Sequence, residues 1–192
     1  NIPRMDRENF YRDTFEFSDK TKKYALSKIK SVLTALGCSY SCTYCYVSSL
    51  IDNLREAYSE VGVRPPSIIQ DRLIETVVQE GEEILALDKI YGVKTTAVFD
   101  QADISLNNMH WWEQLKNLWV DRVGIPFYIQ ARPAMLAGKK GKQRIKLISD
   151  KGLVAGISMA IESGDPKIRK LLLDRHESND TILDAINNVK GS

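Results

Sequence analysis

The chain has 192 residues, of which 43% are hydrophobic and 27% are charged, and its formal net charge is +2. This composition is typical of one globular domain with a buried core and excludes a disordered chain. The apolar runs are too short to span a bilayer, and Arg4, Asp6, Arg7 and Glu8 lie where a signal peptide needs an apolar segment. Charges of both signs are interspersed, so composition indicates neither a membrane nor a nucleic acid as partner. We therefore expect a cytoplasmic protein.

The first predicted strand covers residues 28–36, where apolar positions alternate and then run together until Gly37. A loop with three cysteines follows this glycine. Residues 47–58 have the pattern of a helix, and Pro65-Pro66 separates it from the next one, because neither proline can continue a helix. We therefore expect the cysteines just beyond the carboxyl end of a buried strand.

The second predicted helix begins near Ser67 and Gln70, which have the spacing of a capping box. The apolar stripe that follows is long enough for about five turns. The remaining predicted elements alternate between strand and helix: strands at 94–99, 126–131 and 153–161, and helices around Trp112 to Trp119, from Asp165-Pro166, and over 179–189 with Ser178 as cap.

Four strands separated by amphipathic helices predict an α/β fold with a parallel sheet and right-handed crossovers. In such folds the chemistry lies at the carboxyl ends of the strands. The cysteine loop, Asp100, Arg132 and Glu162 all fall at or just beyond the ends of predicted strands. We therefore expect these groups at one edge of the sheet.

All three cysteines lie within eight residues, as Cys38, Cys42 and Cys45. An odd and local set of cysteines is a poor disulfide framework, and the chain shows no secretory signal. The spacing Cys-x3-Cys-x2-Cys places three thiolates in one loop that is able to wrap a cubane iron-sulfur cluster. Ferredoxins use four cysteines for such a cluster, so three cysteines leave one iron for a small molecule.

Two other kinds of protein remain open at this point. One is a zinc-binding interaction module in which His110 or His176 completes a tetrahedral site, although neither histidine is near the cysteine loop in sequence. The other is an iron-sulfur electron carrier without catalytic activity. Both alternatives use the same three thiolates.

The cysteine spacing, with the aromatic Tyr44 directly before the third cysteine, resembles the signature of the radical S-adenosylmethionine (SAM) superfamily. Further segments occur in the order expected for that superfamily, over roughly residues 30–190. They are Pro65-Pro66-Ser67 with the long helix after it, Val98-Phe99-Asp100, Gln130-x-Arg132 and Ala160-Ile161-Glu162-Ser163-Gly164. Within the superfamily, a fourth strand that ends in Glu-Ser-Gly most resembles one branch. That branch includes cobalamin-dependent methylases, methylthiotransferases and oxygen-independent coproporphyrinogen oxidases.

This resemblance implies an enzyme whose three cysteines hold a 4Fe-4S cluster, with SAM on the open iron. An external one-electron donor would reduce the cluster, and a 5'-deoxyadenosyl radical would abstract hydrogen from a substrate that the sequence does not identify. Methyl transfer or another group transfer, and cobalamin on a separate domain, occur in the similar branch and are left open here.

The resemblance also implies a partial TIM-type (βα) barrel. Members usually have six strand-helix units, and about four are predicted in this chain. Residues 28–192 are interpreted as the first part of that core, truncated, and residues 1–27 as an N-terminal extension.

Roles near the ribose and adenine follow from the resemblance. Glu162 would accept hydrogen bonds from the two ribose hydroxyls, because a carboxylate has two acceptor oxygens in one plane. Ser163 would add a hydroxyl near the ribose. Tyr44 would pack against the adenine or the cluster and shield the sulfurs from water.

Roles near the methionine part of SAM are implied in the same way. Arg132 would pair with the carboxylate through its planar fork, and Gln130 lies on the same face of the strand. Asp100 would accept from the methionine ammonium, in place of the Gly-Gly-Glu that many members have after the second strand. A surface salt bridge is an equally plain explanation of Arg132.

Overall fold

A computed structural model describes residues 6–7, 27–65 and 67–191 of the chain. The strands are β1 (Ile29–Val32), β2 (Ala35–Leu36), β3 (Gln70–Asp71), β4 (Ala97–Asp100), β5 (Phe127–Gln130) and β6 (Val154–Ser158). The helices are α1 (Tyr46–Glu60), α2 (Ile74–Tyr91), α3 (Met109–Arg122), α4 (Pro133–Leu136), α5 (Gly138–Ser149), α6 (Pro166–Leu172) and α7 (Asn179–Lys190), with a 3-10 turn at Asp150–Gly152.

The main sheet is parallel and has the strand order β1-β4-β5-β6. Each of these strands lies beside the previous one, with helices in the connections, so all their carboxyl ends meet at one edge. This arrangement is a partial (βα) barrel of the TIM type, and the predicted α/β fold class is confirmed. The structure thereby places the loops after β1, β4, β5 and β6 on the same side of the molecule.

The predicted strand 28–36 is divided into two in the structure. β1 lies in the parallel sheet, whereas β2 pairs antiparallel with β3. Thr34, between them, donates its backbone N–H and its hydroxyl to Asp100, and its carbonyl accepts from the Arg72 amide. These contacts direct the chain out of the sheet, so the prediction of one continuous strand was wrong.

The predicted capping box at Ser67 and Gln70 was also wrong. The backbone of Gln70 is used in β3, where this residue pairs with Leu36. Helix α2 begins at Ile74, and its N-cap, Leu73, forms no side-chain cap. The predicted length is nevertheless confirmed, because α2 has 18 residues, or about five turns.

The other predicted helices are confirmed, including two of their caps. The Asp165 carboxylate accepts from the Lys167 amide at the start of α6, and the Ser178 hydroxyl accepts from the Thr181 amide at the start of α7. In the described part of the chain, no helix combines the length and the apolar character needed to cross a membrane.

The core between α3 and the sheet is aromatic. Trp112 and Trp119 are buried, and their rings lie 5.5 and 4.5 Å from the ring of Phe127 on β5. Gly81 of α2 permits this packing, because a Cβ there would lie 2.7 Å from the Trp119 ring. These contacts hold α2 and α3 against the sheet whose strand ends are followed by the cysteine loop, Asp100, Arg132 and Glu162.

Arg7, which belongs to the predicted N-terminal extension, contacts the core. Its guanidinium donates to the backbone carbonyl of Ser31 in β1 and lies 3.4 Å from Glu80 Oε2. Glu80 also accepts from Arg72 Nη2 at 2.8 Å. A buried carboxylate between two arginines therefore joins residue 7 to β1 and α2.

Candidate functional site

The cysteine loop starts directly after β2 and is held at both ends by one carboxylate. The Gly37 amide donates to Asp103 Oδ2 at 2.7 Å, and the Tyr46 hydroxyl donates to Asp103 Oδ1 at 3.1 Å. Asp103 lies in the loop after β4, which is the neighbour of β1 in the sheet. The local sequence gives no sign of this role of Asp103, because its partners are 57 and 66 positions away.

The three cysteines are free thiols with different exposure. Cys42 is buried, while Cys38 and Cys45 are half-buried. Burial raises the pKa of the Cys38 thiol, and the nearby thiols of Cys42 and Cys45 raise it further, whereas the Tyr40 backbone N–H opposes the shift.

This donor set fits a cubane cluster. Zinc ligands must converge on one ion, whereas the thiolates of a cubane each bind a different iron. The loop presents three free thiols, one of which, Cys42, accepts a hydrogen bond from Arg132. Hydrogen bonds to cluster sulfurs are a usual feature of iron-sulfur sites.

Arg132 follows β5 and reaches the cysteine loop, but its guanidinium is already paired. Nε and Nη2 each donate to the carboxylate of Glu177 at 2.6 Å, and Nη1 lies 3.5 Å from Cys42 Sγ. The guanidinium also stacks on the Tyr40 ring, 3.8 Å from its centroid. Glu177 thus occupies the fork of Arg132, and Nη1 contacts a cysteine. The contact of Arg132 with the SAM carboxylate stays a prediction.

Asp100 lies in the core, and its carboxylate is fully used by the protein. Its oxygens accept from the backbone N–H groups of Thr34 and Ala102 and from the hydroxyls of Thr34 and Ser105. Burial raises the pKa of this carboxyl, although the donated hydrogen bonds oppose the shift. With 0% of the residue exposed, Asp100 is left out of the proposed SAM contacts, and its structural role is to hold β1 and the loop after β4 together.

Replacing Asp100 with alanine is expected to lower the free energy of unfolding by about 3 kcal/mol, because buried N–H and O–H donors lose their acceptor. Asp100→Asn keeps the shape and one acceptor oxygen for the two backbone donors, so we expect a loss of only about 1 kcal/mol. Urea denaturation measures both values. A stable Asn variant with weakened SAM binding would restore Asp100 to the SAM site.

Glu162 and Tyr44 are brought together by an arginine that the sequence analysis did not select. Arg175 Nη1 donates to Glu162 Oε1 and to the Tyr44 hydroxyl, both at 2.9 Å. Glu162 has a positive φ of 67° and its side chain is 32% exposed, so one face of the carboxylate is open to solvent. Tyr44 is 50% exposed. Tyr44 of the cysteine loop and Glu162 of the segment after β6, which are both predicted SAM contacts, therefore lie side by side.

Gln130 and Ser163 have less specific surroundings. Gln130 ends β5, is exposed, and pairs in register with Ser158 of β6. The Ser163 hydroxyl accepts from the Asp165 backbone N–H at 3.1 Å, which is a local turn contact before α6. Gln130 thus lies exposed at the carboxyl end of β5. The Ser163 hydroxyl is used in a local hydrogen bond.

The segment between α6 and α7 packs against the cysteine loop. The Ser41 hydroxyl donates to the Asp174 carboxylate, and the Thr43 backbone N–H and hydroxyl donate to the carbonyls of Leu173 and Leu172. His176, which contacts Asp174, is brought near the loop in the same way. No local pattern in the sequence marked this contact, because Ser41 and Asp174 are 133 positions apart and Thr43 and Leu172 are 129 positions apart.

Two cavities border the cysteine loop on different sides. A groove of about 670 Å³ lies between α1 and residues 64–65 and 67–70, and it reaches Gly37 and Asp103. A smaller cavity of about 420 Å³ lies between Tyr40, Arg132 and residues 174–177. None of the three cysteines lines either cavity, so the larger groove is separate from the thiols.

A parallel (βα) sheet with a three-cysteine loop at its carboxyl edge defines an α/β protein with three free thiols close to its strand ends. The family model for the Radical SAM superfamily matches residues 32–192. The chain belongs to this superfamily. The match concerns the superfamily as a whole, and the branch indicated by Glu162-Ser163-Gly164 stays a prediction. Searches of curated proteins and of solved structures gave no significant match.

Proposed function

We propose that this chain is the core of a radical SAM enzyme in which Cys38, Cys42 and Cys45 hold a 4Fe-4S cluster and SAM binds the iron that no cysteine occupies. The observation that carries the proposal is the loop of three free thiols at the carboxyl edge of a Radical SAM fold. With these groups bound, the site would supply the chemistry of a 5'-deoxyadenosyl radical, which is hydrogen abstraction from a substrate. An external one-electron donor would provide the electron.

The protein's own contribution is to fix the loop and to limit the access of water. Asp103 ties together the two ends of the loop, and the contacts of Ser41 and Thr43 with residues 172–174 cover one side of it. A rigid and partly buried loop keeps thiolate ligands oriented and protects a cluster from solvent. These contacts support a redox site better than a mobile interaction loop.

For the ribose of SAM, the open face of Glu162 is the proposed acceptor. Arg175 fixes the position of the Glu162 carboxylate and of the Tyr44 hydroxyl at once. Arg175 donates to only one oxygen of the Glu162 carboxylate. The carboxylate therefore retains the capacity to accept hydrogen bonds from two vicinal hydroxyls. Gln130, exposed at the end of β5, is retained in the proposed SAM-facing edge.

The test of the proposal is anaerobic iron-sulfur reconstitution, followed by dithionite reduction and electron paramagnetic resonance with and without SAM. We expect a reduced-cluster signal that shifts when SAM is added. Bound zinc in place of iron would favour an interaction module. A reduced cluster whose signal is indifferent to SAM would favour an electron carrier.

Replacing Glu162 with alanine is expected to weaken SAM binding by about tenfold to a hundredfold without loss of iron. A hydrogen bond to a charged group contributes about 1.5–3 kcal/mol, and each 1.4 kcal/mol is about a tenfold change in affinity. Equilibrium titration of the reconstituted protein with SAM measures the change.

The control for this experiment is Glu113→Gln, which changes an exposed carboxylate on α3. We expect its SAM affinity and iron content to equal those of the unmodified chain. Equal affinities for the Glu162 and Glu113 variants would remove Glu162 from the ribose site while leaving the cluster proposal in place.

A further inference from the structure

We propose that Arg132 is a positioning residue for the iron-sulfur cluster, which acts through the Cys42 sulfur and sets the cluster's midpoint potential, with Glu177 as its counter-ion. This inference rests on the proposed function, because it concerns the cluster that the three cysteines would hold. It assigns to Arg132 and Glu177 a role toward the thiolates in place of a contact with SAM.

Each nitrogen of the Arg132 guanidinium has a partner, and one face of the group stacks on the Tyr40 ring. Nε and Nη2 donate to the two oxygens of Glu177, each at 2.6 Å, and Nη1 points to Cys42 Sγ at 3.5 Å. The Tyr40 ring lies under the guanidinium carbon at 3.8 Å. Bidentate pairing and stacking are both specific to arginine, so the direction of Nη1 toward the sulfur is fixed by three independent contacts.

The pair is buried, which strengthens its electrostatic effect. The side chains of Arg132 and Glu177 are 9% and 5% exposed. Burial alone would raise the pKa of Glu177, but the hydrogen bonds and the charge of Arg132 outweigh it, and the pKa lies below its usual value. Both groups are therefore charged at neutral pH, next to the most buried of the three cysteines.

The expected effect on the cluster has a definite sign for each member of the pair. Reduction makes the cluster and its thiolates more negative, so a positive charge and an N–H donor at Cys42 stabilise the reduced form and raise the midpoint potential. Glu177 opposes this by partly neutralising Arg132. Arg175 Nε lies 4.0 Å from Glu177 Oε2, so the Glu177 charge is shared between two arginines.

The experiment compares the reconstituted unmodified chain with Arg132→Gln, Arg132→Lys and Glu177→Gln. Iron content is measured first, and the midpoint potential is then determined without SAM by a redox titration followed by paramagnetic resonance. At the midpoint of the unmodified chain, we expect Arg132→Gln to lower the reduced-to-oxidised ratio by about tenfold, which is about 59 mV for a one-electron couple. Glu177→Gln should raise the ratio, and Arg132→Lys, which keeps the charge without the fork, should lie between Arg132→Gln and the unmodified chain.

Arg122 provides a matched control, because it also forms a bidentate pair, with both contacts to Glu82 at 2.8 Å, but on the exposed surface of α3. Arg122→Gln should leave the midpoint potential unchanged. A purely structural role of Arg132 would lower iron content or stability and would not move the potential in opposite directions for the two partners.

The outcomes separate this inference from the proposed function. If the unmodified chain takes up no iron, the proposed function itself fails. If iron is bound and the midpoint potential of Glu177→Gln equals that of the unmodified chain, the inference is overturned. This comparison does not require Arg132→Gln to fold. Unchanged potentials together with weakened SAM binding in Arg132→Lys would return Arg132 to the SAM carboxylate.

Discussion

Replacing Cys42 with alanine is expected to abolish cluster binding completely. Cys42 is the central and most buried of the three cysteines, and the chain contains no fourth cysteine that could replace it. Two remaining thiolates would leave two irons of a cubane without protein ligands. The measurement is iron and sulfide per chain after anaerobic reconstitution, with the visible absorption of the cluster as a second readout.

Ser39→Ala is the control for that variant. Ser39 is exposed and lies in the same loop, between the first two cysteines, so its replacement keeps all three thiols. We expect full iron content for the Ser39 variant, and unchanged circular dichroism for both variants. Full iron content and absorption in the Cys42 variant would show that the ligand assignment is wrong.

Replacing Gly37 with alanine is expected to destabilise the fold by about 4 kcal/mol or more and to reduce iron uptake. A Cβ at this position would lie 1.7 Å from the Ile68 carbonyl oxygen, so the backbone of one segment must move. The φ of Gly37 is +89°, a conformation that costs other residues about 1–2 kcal/mol even without a clash. Moving Gly37 would also break its hydrogen bond to Asp103, which closes the cysteine loop.

Gly62 separates these two causes experimentally. It also has a positive φ, of +66°, but a Cβ there would meet no atom within 4 Å. Gly62→Ala should therefore cost only the conformational strain and leave iron uptake unchanged. Denaturation curves and iron contents of the two variants give the comparison, and equal losses of stability would show that the contact with Ile68 does not matter.

Local signals predicted much of the fold correctly. Amphipathic periodicity located α2 and α3, and polar residues before apolar stripes located the caps at Asp165 and Ser178. These signals act over three or four residues, so they are readable without knowledge of the partners. The capping box at Ser67 and Gln70 failed because Gln70 belongs to β3, where it pairs with Leu36 of β2, and α2 begins only at Ile74.

The sequence also predicted the cysteine loop. It did not predict which residues the single polar side chains contact. Arg132 was correctly placed after a strand, yet its carboxylate partner, Glu177, lies 45 positions further along the chain. Asp100 was correctly placed at a strand end, but its contacts with Thr34 cross 66 positions and bury it. A strand-end position alone does not distinguish a ligand-binding carboxylate from a structural one.

The sequence by itself therefore determined the alternation of the four parallel strands with helices, the three-cysteine loop and the superfamily that both indicate. It did not predict the antiparallel pair β2-β3 or the helices α4 and α5. Only the tertiary structure decided that residues 172–177 cover that loop, that Arg175 joins Tyr44 to Glu162, and that Arg132 contacts a cysteine. Helices form through backbone hydrogen bonds and periodicity within a few residues, and the side-chain pattern that marks a strand is equally local. Pairing between Ser41 and Asp174, 133 positions apart, depends on the order in which the sheet brings strand ends together, which local pattern does not contain.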